Sequence, residues 1–266
     1  TVVDKDSNAN QQTQTDDINT ALVTGANAVV VNMVESGAIG TAETLMNAIK
    51  EKDVPAVFFN RAVSTDNNEA AELFKGYEKS AFVGTDFTQA GIMQGKMIGE
   101  YVLEHFDEID LNHDGKISYV MFKGDEANQE AIARTKYGVE CADEVLTAAG
   151  KPALEFYDAS NANKYLVDLN GTWSNTASFD YMQTILAQYN EANGNMVELV
   201  ICNNDDMALG AINALVNAGY NLPGGEGCTV SPVFGVDATD AAKELIANQQ
   251  MTGSIKQDAE GMADAV

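Results

Sequence analysis

The most specific chemistry in this sequence lies in the run Asp110-Leu111-Asn112-His113-Asp114-Gly115-Lys116-Ile117-Ser118. Its Asp, Asn, Asp and Gly fall at the first, third, fifth and sixth positions of an EF-hand calcium loop. Oxygens on alternate residues can wrap a hard cation, and the glycine permits the sharp turn between them. The seventh position, Lys116, would offer its backbone carbonyl, and Ser118 stands at the ninth. The twelfth position requires a bidentate glutamate and holds Met121 instead. Two readings stay open at this level: an Asx-rich turn without metal, or a calcium loop whose last carboxylate comes from elsewhere in the fold. His113 occupies a non-ligand position and is expected at the surface.

A second set of residues suits a neutral, polyhydroxylated ligand. Trp173 is the only tryptophan and sits in the polar stretch Asn170-Gly171-Thr172-Trp173-Ser174-Asn175, where it reads less as core than as a face for a pyranose ring. Arg134, in Glu130-Ala131-Ile132-Ala133-Arg134, is a forked donor for ring hydroxyls or a ring oxygen, or else a solvated helix charge. Asn32, Asn60, Asp86, Asp125, Asn203-Asn204-Asp205 and Asp237 each follow an apolar run. Singly, such residues often only start turns or cap helices. Repeated at successive strand ends, they point to a polar cleft beyond the carboxyl edge of a sheet. Neither GxGxxG nor GxxxxGK[ST] follows any of these runs, so a nucleotide is not the expected ligand.

The elements that must position these side chains alternate along the chain. Strands are expected at Ala28–Val31, Ala56–Phe59, Ala81–Val83, Ile117–Phe122, Leu199–Cys202 and Pro232–Val236. Helical spacing joins Ile39, Leu45, Met46 and Ile49, and likewise Met93, Met97, Ile98 and Val102. Asp16 and Thr41 are read as helix caps, and Gly25 and Gly219 as helix stops. Near-continuous apolar strands alternating with helices predict an α/β doubly wound fold with parallel sheets covered on both faces.

The 266 residues carry 40 acidic against 15 basic side chains, a formal charge of −25. A surface so acidic repels phosphate backbones and anionic membranes, so nucleic acid is not an expected partner. The apolar fraction of 45% is ordinary, which assigns the acidity to surface rather than to disorder. No apolar run approaches the roughly 20 residues of a membrane span. Cys141, Cys202 and Cys228 form no CxxC or metal spacing, and Cys202 reads as a buried small hydrophobe. Thr1-Val2-Val3-Asp4 carries no secretory signal and reads as the middle of a longer chain. The run Gly261 to Val266 stops inside a helical pattern, so both ends are expected to be cut.

Taken in order, Asp53 to Asn60, Val83-Gly84-Thr85-Asp86, Asp110 to Ile117, Cys202-Asn203-Asn204-Asp205 and Phe234-Gly235-Val236-Asp237 resemble the bacterial galactose/glucose-binding proteins. These belong to the ribose/galactose type of periplasmic binding proteins. The resemblance runs over essentially the whole chain. It implies two α/β lobes joined by hinge crossings that close on a monosaccharide and deliver it to an ABC importer, with no catalysis. The N-terminal lobe would comprise 1–85 plus 257–266, incomplete for want of a first strand and helix and of closing segments; the C-terminal lobe, 86–256, would carry the calcium loop.

By the same resemblance the sugar site takes Asn60, Arg134, Trp173, Asn204 and Asp237, together with Asn128 in place of a His, Glu130 in place of an Asp and Gln257 in place of an Asn. Each replacement keeps polarity and changes reach. Calcium would be held by Asp110, Asn112, Asp114, the Lys116 carbonyl and Ser118, with Glu198 supplying the carboxylate absent at Met121. The implied partners are galactose or glucose, the ABC permease and a chemoreceptor. The implied location is extracytoplasmic, in the periplasm or lipid-anchored at the outer face of the cytoplasmic membrane. A glycosidase would need a pair of carboxyl groups with split pKa values, and no motif nominates one. A sugar-responsive repressor would need a basic helix-turn-helix, and none occurs.

Overall fold

Every apolar run named above forms a strand in the computed structural model, which describes residues 1–266. The chain divides into two units, one of Thr1–Phe87, Ala127–Glu130 and Asp258–Val266, the other of Thr88–Glu126 and Ala131–Gln257. A division that keeps 86–256 whole differs from this one chiefly at residues 127–130, which group with the first unit.

The first unit alternates α1 (Gln11–Val23), β1 (Val29–Val31), α2 (Ile39–Glu51), β2 (Ala56–Phe59), α3 (Asn67–Lys75) and β3 (Ser80–Val83). Its strands pair in parallel in the order β1-β2-β3, with Val31 opposite Phe58 and Phe58 opposite Phe82. Ile39, Leu45, Met46 and Ile49 do lie on one helix, and the last three pack with Val31, Met33 and Phe58 in the core. Neither expected cap holds. Asp16 lies inside α1, which begins earlier because the extended Asn10 accepts the Thr13 N–H at 2.9 Å. Thr41 lies inside α2, where Ala38 is the cap residue and the Thr41 hydroxyl donates to Glu35 instead. Gly25 does stop α1, with φ at +95° just past the cap.

The second unit runs through α4 (Gln89–Glu104), α5 (Phe106–Ile109), β4 (Ser118–Lys123), α6 (Gln129–Ala148, whose first two residues belong to the first unit), β5 (Glu155–Phe156), β6 (Leu166–Val167), α7 (Asn175–Leu186), β7 (Leu199–Cys202), α8 (Asp205–Asn217), β8 (Val233–Val236), α9 (Asp240–Ala247) and β9 (Gly253–Ile255). The closing helix α10 (Ala259–Ala265) belongs to the first unit. The second sheet is parallel, in the order β5-β4-β7-β8-β9, and β6 pairs with the far end of β4. Strands β4, β7 and β8 are buried on both faces, which is why they read as unbroken apolar runs. Strands β5, β6 and β9 are two or three residues long and carry no periodic signal of their own.

Helix α4 lies close against α6 because Gly91, Gly95 and Gly99 share a face. A Cβ at Gly91 would stand 2.8 Å from the Ala133 carbonyl oxygen, and one at Gly99 2.9 Å from that of Ala142. This contact seats the turn of α6 that bears Arg134. Met93, on the same helix, is exposed rather than core. Gly219 ends α8 at φ +91°, and Cys202 is fully buried in β7. No helix is long and apolar enough to cross a membrane.

Candidate ligand-binding site

In the second unit the strand ends gather Arg134, Trp173, Asn204, Asp237 and Gln257 around Asn203, a fully buried residue just past β7. Asn203 Oδ1 accepts the Gly124 N–H at 3.1 Å, and its carbonyl accepts Arg134 Nη1 at 2.7 Å. Arg134 is therefore a buried, aimed guanidinium and not a solvated helix charge. It lies 5.4 Å from the Trp173 ring centroid. The indole rests on the backbone of Gly124, where any Cβ would overlap the ring, so the residue just after β4 must be glycine for the aromatic to lie there. Trp173 itself has a left-handed backbone, φ +57°, a conformation that costs a bulky residue about 1–3 kcal/mol and persists only where the surroundings hold it.

Asn204 caps α8, its Oδ1 accepting the Met207 N–H at 3.0 Å. Its Nδ2 turns to the Trp173 carbonyl at 3.4 Å. Asp237 follows β8 with φ +114° and accepts Gln257 Nε2 at 2.6 Å. Burial pushes the Asp237 carboxyl above its ordinary value, against the pull of the Arg134 guanidinium and the Gln257 bond. The neighbouring Asp205 is consumed by the fold, accepting Ser254 Oγ at 2.6 Å and the Thr239 N–H at 2.8 Å. The arrangement sets a forked cation, a carboxylate, carboxamides and an aromatic face at the carboxyl ends of parallel strands. That is the equipment for hydroxyl-rich ligands, with donors and acceptors side by side.

In the first unit, Asn60 follows β2 with a left-handed backbone, φ +63°. Arg61 ties the loops after β1 and β2 by donating to the Met33 and Val34 carbonyls at 3.2 and 3.1 Å. Glu130, in the first turn of α6, spends both oxygens on this unit: one accepts Ser36 Oγ at 2.7 Å, the other the Ala62 N–H at 3.2 Å. Asn128, two residues before it, is buried. A cleft of about 500 Å³ in the second unit is walled by Asp125, Glu126, Tyr165 and Tyr181. Its tyrosine hydroxyls are already engaged, with Glu126 and with the Val167 carbonyl.

The Asp110–Ser118 loop meets Glu198, a carboxylate only 1% exposed at the start of β7. Glu198 Oε1 accepts the Leu111 N–H at 2.8 Å, and Oε2 accepts the Ser118 N–H at 2.8 Å and Oγ at 2.9 Å. Burial raises its carboxyl above the usual range, against those hydrogen bonds. Asp110 accepts the Asp114 and Gly115 N–H groups at 3.1 and 2.9 Å. Met121 is core and His113 is exposed. The donor set is all hard oxygen and fits an oxygen-seeking cation in chemistry. No group of three or more His, Cys, Asp or Glu side chains stands together as ion ligands, so a cation here would also need Asn112, the Lys116 carbonyl and Ser118.

Asn203, Gly124 and Asp168 escaped sequence reasoning as supports of this cluster. For Asp168 a signal existed: Asp168, Asn170, Thr172 and Ser174 alternate as turn-forming residues ahead of a helix.

Two α/β units with parallel sheets, and polar side chains gathered where the strands end, define a binding protein for a small polar ligand. A family model for the periplasmic binding protein domain matches residues 1–266. A D-galactose/methyl-galactoside binding periplasmic protein of Haemophilus influenzae is 31% identical over 261 residues, covering 98% of this chain and 68% of that protein. A putative rhizopine-binding protein of Rhizobium meliloti is 29% identical over 254 residues, 95% of this chain and 66% of that protein. The chain spans about two thirds of the length of these relatives. An ABC transporter solute binding protein from Bacillus halodurans, solved with myo-inositol, shares the fold at a TM-score of 0.67 and 22% identity, over 98% of this chain and 73% of that one. The chain belongs to the periplasmic binding protein family and has the type I fold of that family.

Proposed function

We propose that this protein is an extracytoplasmic receptor that captures a monosaccharide, galactose or glucose, and hands it to an ABC importer without altering it. The observation that carries this reading is the second unit's cluster: Trp173 on Gly124, Arg134 held by the Asn203 carbonyl, and Asp237 bound to Gln257. The indole offers an apolar face for a ring, Arg134 donates, Asp237 accepts, and Asn204 and Gln257 can do either. Asn60, Asn128 and Glu130 join the proposed contacts through the family resemblance. Both Glu130 oxygens already accept one hydrogen bond, so a hydroxyl would use its remaining lone pairs. The galactoside-binding relative supports the choice of sugar. Delivery requires the importer to distinguish liganded from empty protein, and the sugar shifts that equilibrium only by its differential affinity for the two states. A chemoreceptor as a second reader and a lipid anchor at the membrane belong to the same proposal.

Titration calorimetry with D-galactose and D-glucose tests it. Saturable binding of either sugar without turnover is expected; no heat with both overturns the reading. Replacing Trp173 by Ala should weaken the bound sugar by about 1–3 kcal/mol, the worth of an aromatic anchor.

We also propose a structural Ca2+ held by Asp110, Asn112, Asp114, the Lys116 carbonyl, Ser118 and Glu198. The ion would offset the charge of Glu198, a carboxylate buried without a basic neighbour. EDTA should lower the melting temperature and calcium restore it; an unchanged melt removes the ion.

A further inference from the structure

The loop that carries Trp173 is organised by one carboxylate. Asp168 directly follows β6, and its N–H donates to the Lys123 carbonyl at 2.9 Å, which ties the loop to the end of β4. Its side chain is 2% exposed. Oδ1 accepts the Asn170 N–H at 2.9 Å; Oδ2 accepts Thr172 Oγ1 at 2.9 Å and both the N–H and Oγ of Ser174 at 3.0 Å. Four donors converge on this carboxylate, three of them on Oδ2, and all four come from the loop that bears Trp173. No basic side chain pairs with it. Burial pushes its carboxyl up, but the hydrogen bonds together outweigh burial and hold it below the usual aspartate value.

The partners explain what the carboxylate does. Thr172 and Ser174 flank Trp173 and converge on the same oxygen, so the residue between them is fixed in its left-handed conformation. Asn204 holds the Trp173 carbonyl, and Gly124 leaves the space the ring fills. We propose that Asp168 is a positioning residue for the aromatic platform, holding the Trp173 indole against Gly124 before any sugar arrives. This rests on the reading of Trp173 as a sugar contact. A platform ordered in advance spares the ligand the entropy of ordering it.

Trp173 is the only tryptophan, so its fluorescence reports this loop alone. Asp168→Asn keeps the shape but sets an NH2 group against a backbone N–H, that of Asn170 or of Ser174, whichever way the amide turns. The folded variant, checked by far-UV circular dichroism, should show red-shifted emission, easier acrylamide quenching and at least tenfold weaker sugar binding. In a Trp173→Ala background the same change should cost no more than about twofold, because there is no platform left to place. Thr172→Val, which removes a single donor, should shift emission and affinity in the same direction by less, and it decides the matter if Asp168→Asn does not fold. Unchanged emission and quenching overturn the proposal, as does an equal loss of affinity with and without Trp173. If Trp173→Ala binds sugar like the parent chain, the sugar reading of Trp173 fails, while the fluorescence of Asp168→Asn still decides whether Asp168 holds the ring.

Discussion

Two loops of the second unit are built on the same device and put it to opposite uses. Asp110 and Asp168 are both buried, and each accepts backbone N–H groups from residues two to six positions ahead. Around Asp110 the loop turns Asn112 and Asp114 outward and receives a second buried carboxylate, Glu198, from a distant strand. Around Asp168 all four donors come from the loop itself, three of them to Oδ2, and the residue they enclose is a tryptophan. An anchored aspartate thus fixes the backbone in both cases, while the residues between its donors decide whether the loop presents oxygen or an aromatic face.

The comparison breaks most severely at Glu198. Glu198→Ala orphans the N–H groups of Leu111 and Ser118 near the start of β4, at about 1–3 kcal/mol for each buried donor. The urea midpoint should fall steeply and any response of the melt to EDTA should vanish. A variant that keeps its EDTA response would show that the Asp110 loop stands without the remote carboxylate.

Gly124→Ala strikes the other loop. The new methyl overlaps the indole, and overpacking of this kind costs about 1–3 kcal/mol. Stability should fall less than for Glu198→Ala, while Trp173 emission shifts and sugar affinity drops. Unaltered emission would mean that the ring has another way to lie.

Titration in acid separates the loops by the smallest effect. The folded value of Asp168 is lowered, so its contribution is present above the unfolded-state value and lost as pH falls through the folded one. Glu198 is raised, so its ionised form opposes folding and protonation relieves that as pH falls. Urea unfolding below about pH 4 should therefore cost the parent chain more stability than Asp168→Asn. Identical acid slopes would remove Asp168 as a contributor.

What could be read early follows from range. The Asp110 loop is legible because its geometry is local: alternate oxygens and a glycine within six residues. Strands β4, β7 and β8 are legible because burial on both faces leaves only apolar or aromatic residues between their ends. The helix starts misled, since Asp16 and Thr41 have the chemistry of caps but lie inside the helices, and Asn10 and Ala38 occupy the ends. Asp168 was overlooked because a turn residue looks the same whether or not a tryptophan depends on it.

By itself, the order of residues determined the α/β alternation, the acidic surface, the Asx-rich loop at Asp110 and the types of side chain a polyhydroxylated ligand would need. These are matters of composition and of spacing within one turn or one strand. Only the tertiary structure decided that Arg134 is buried on the Asn203 carbonyl, that Glu130 is bound to Ser36 and Ala62, and that the indole lies on Gly124. Those outcomes join residues 49 to 94 positions apart in the chain, and parallel pairing and helix packing, not local propensity, bring such residues together.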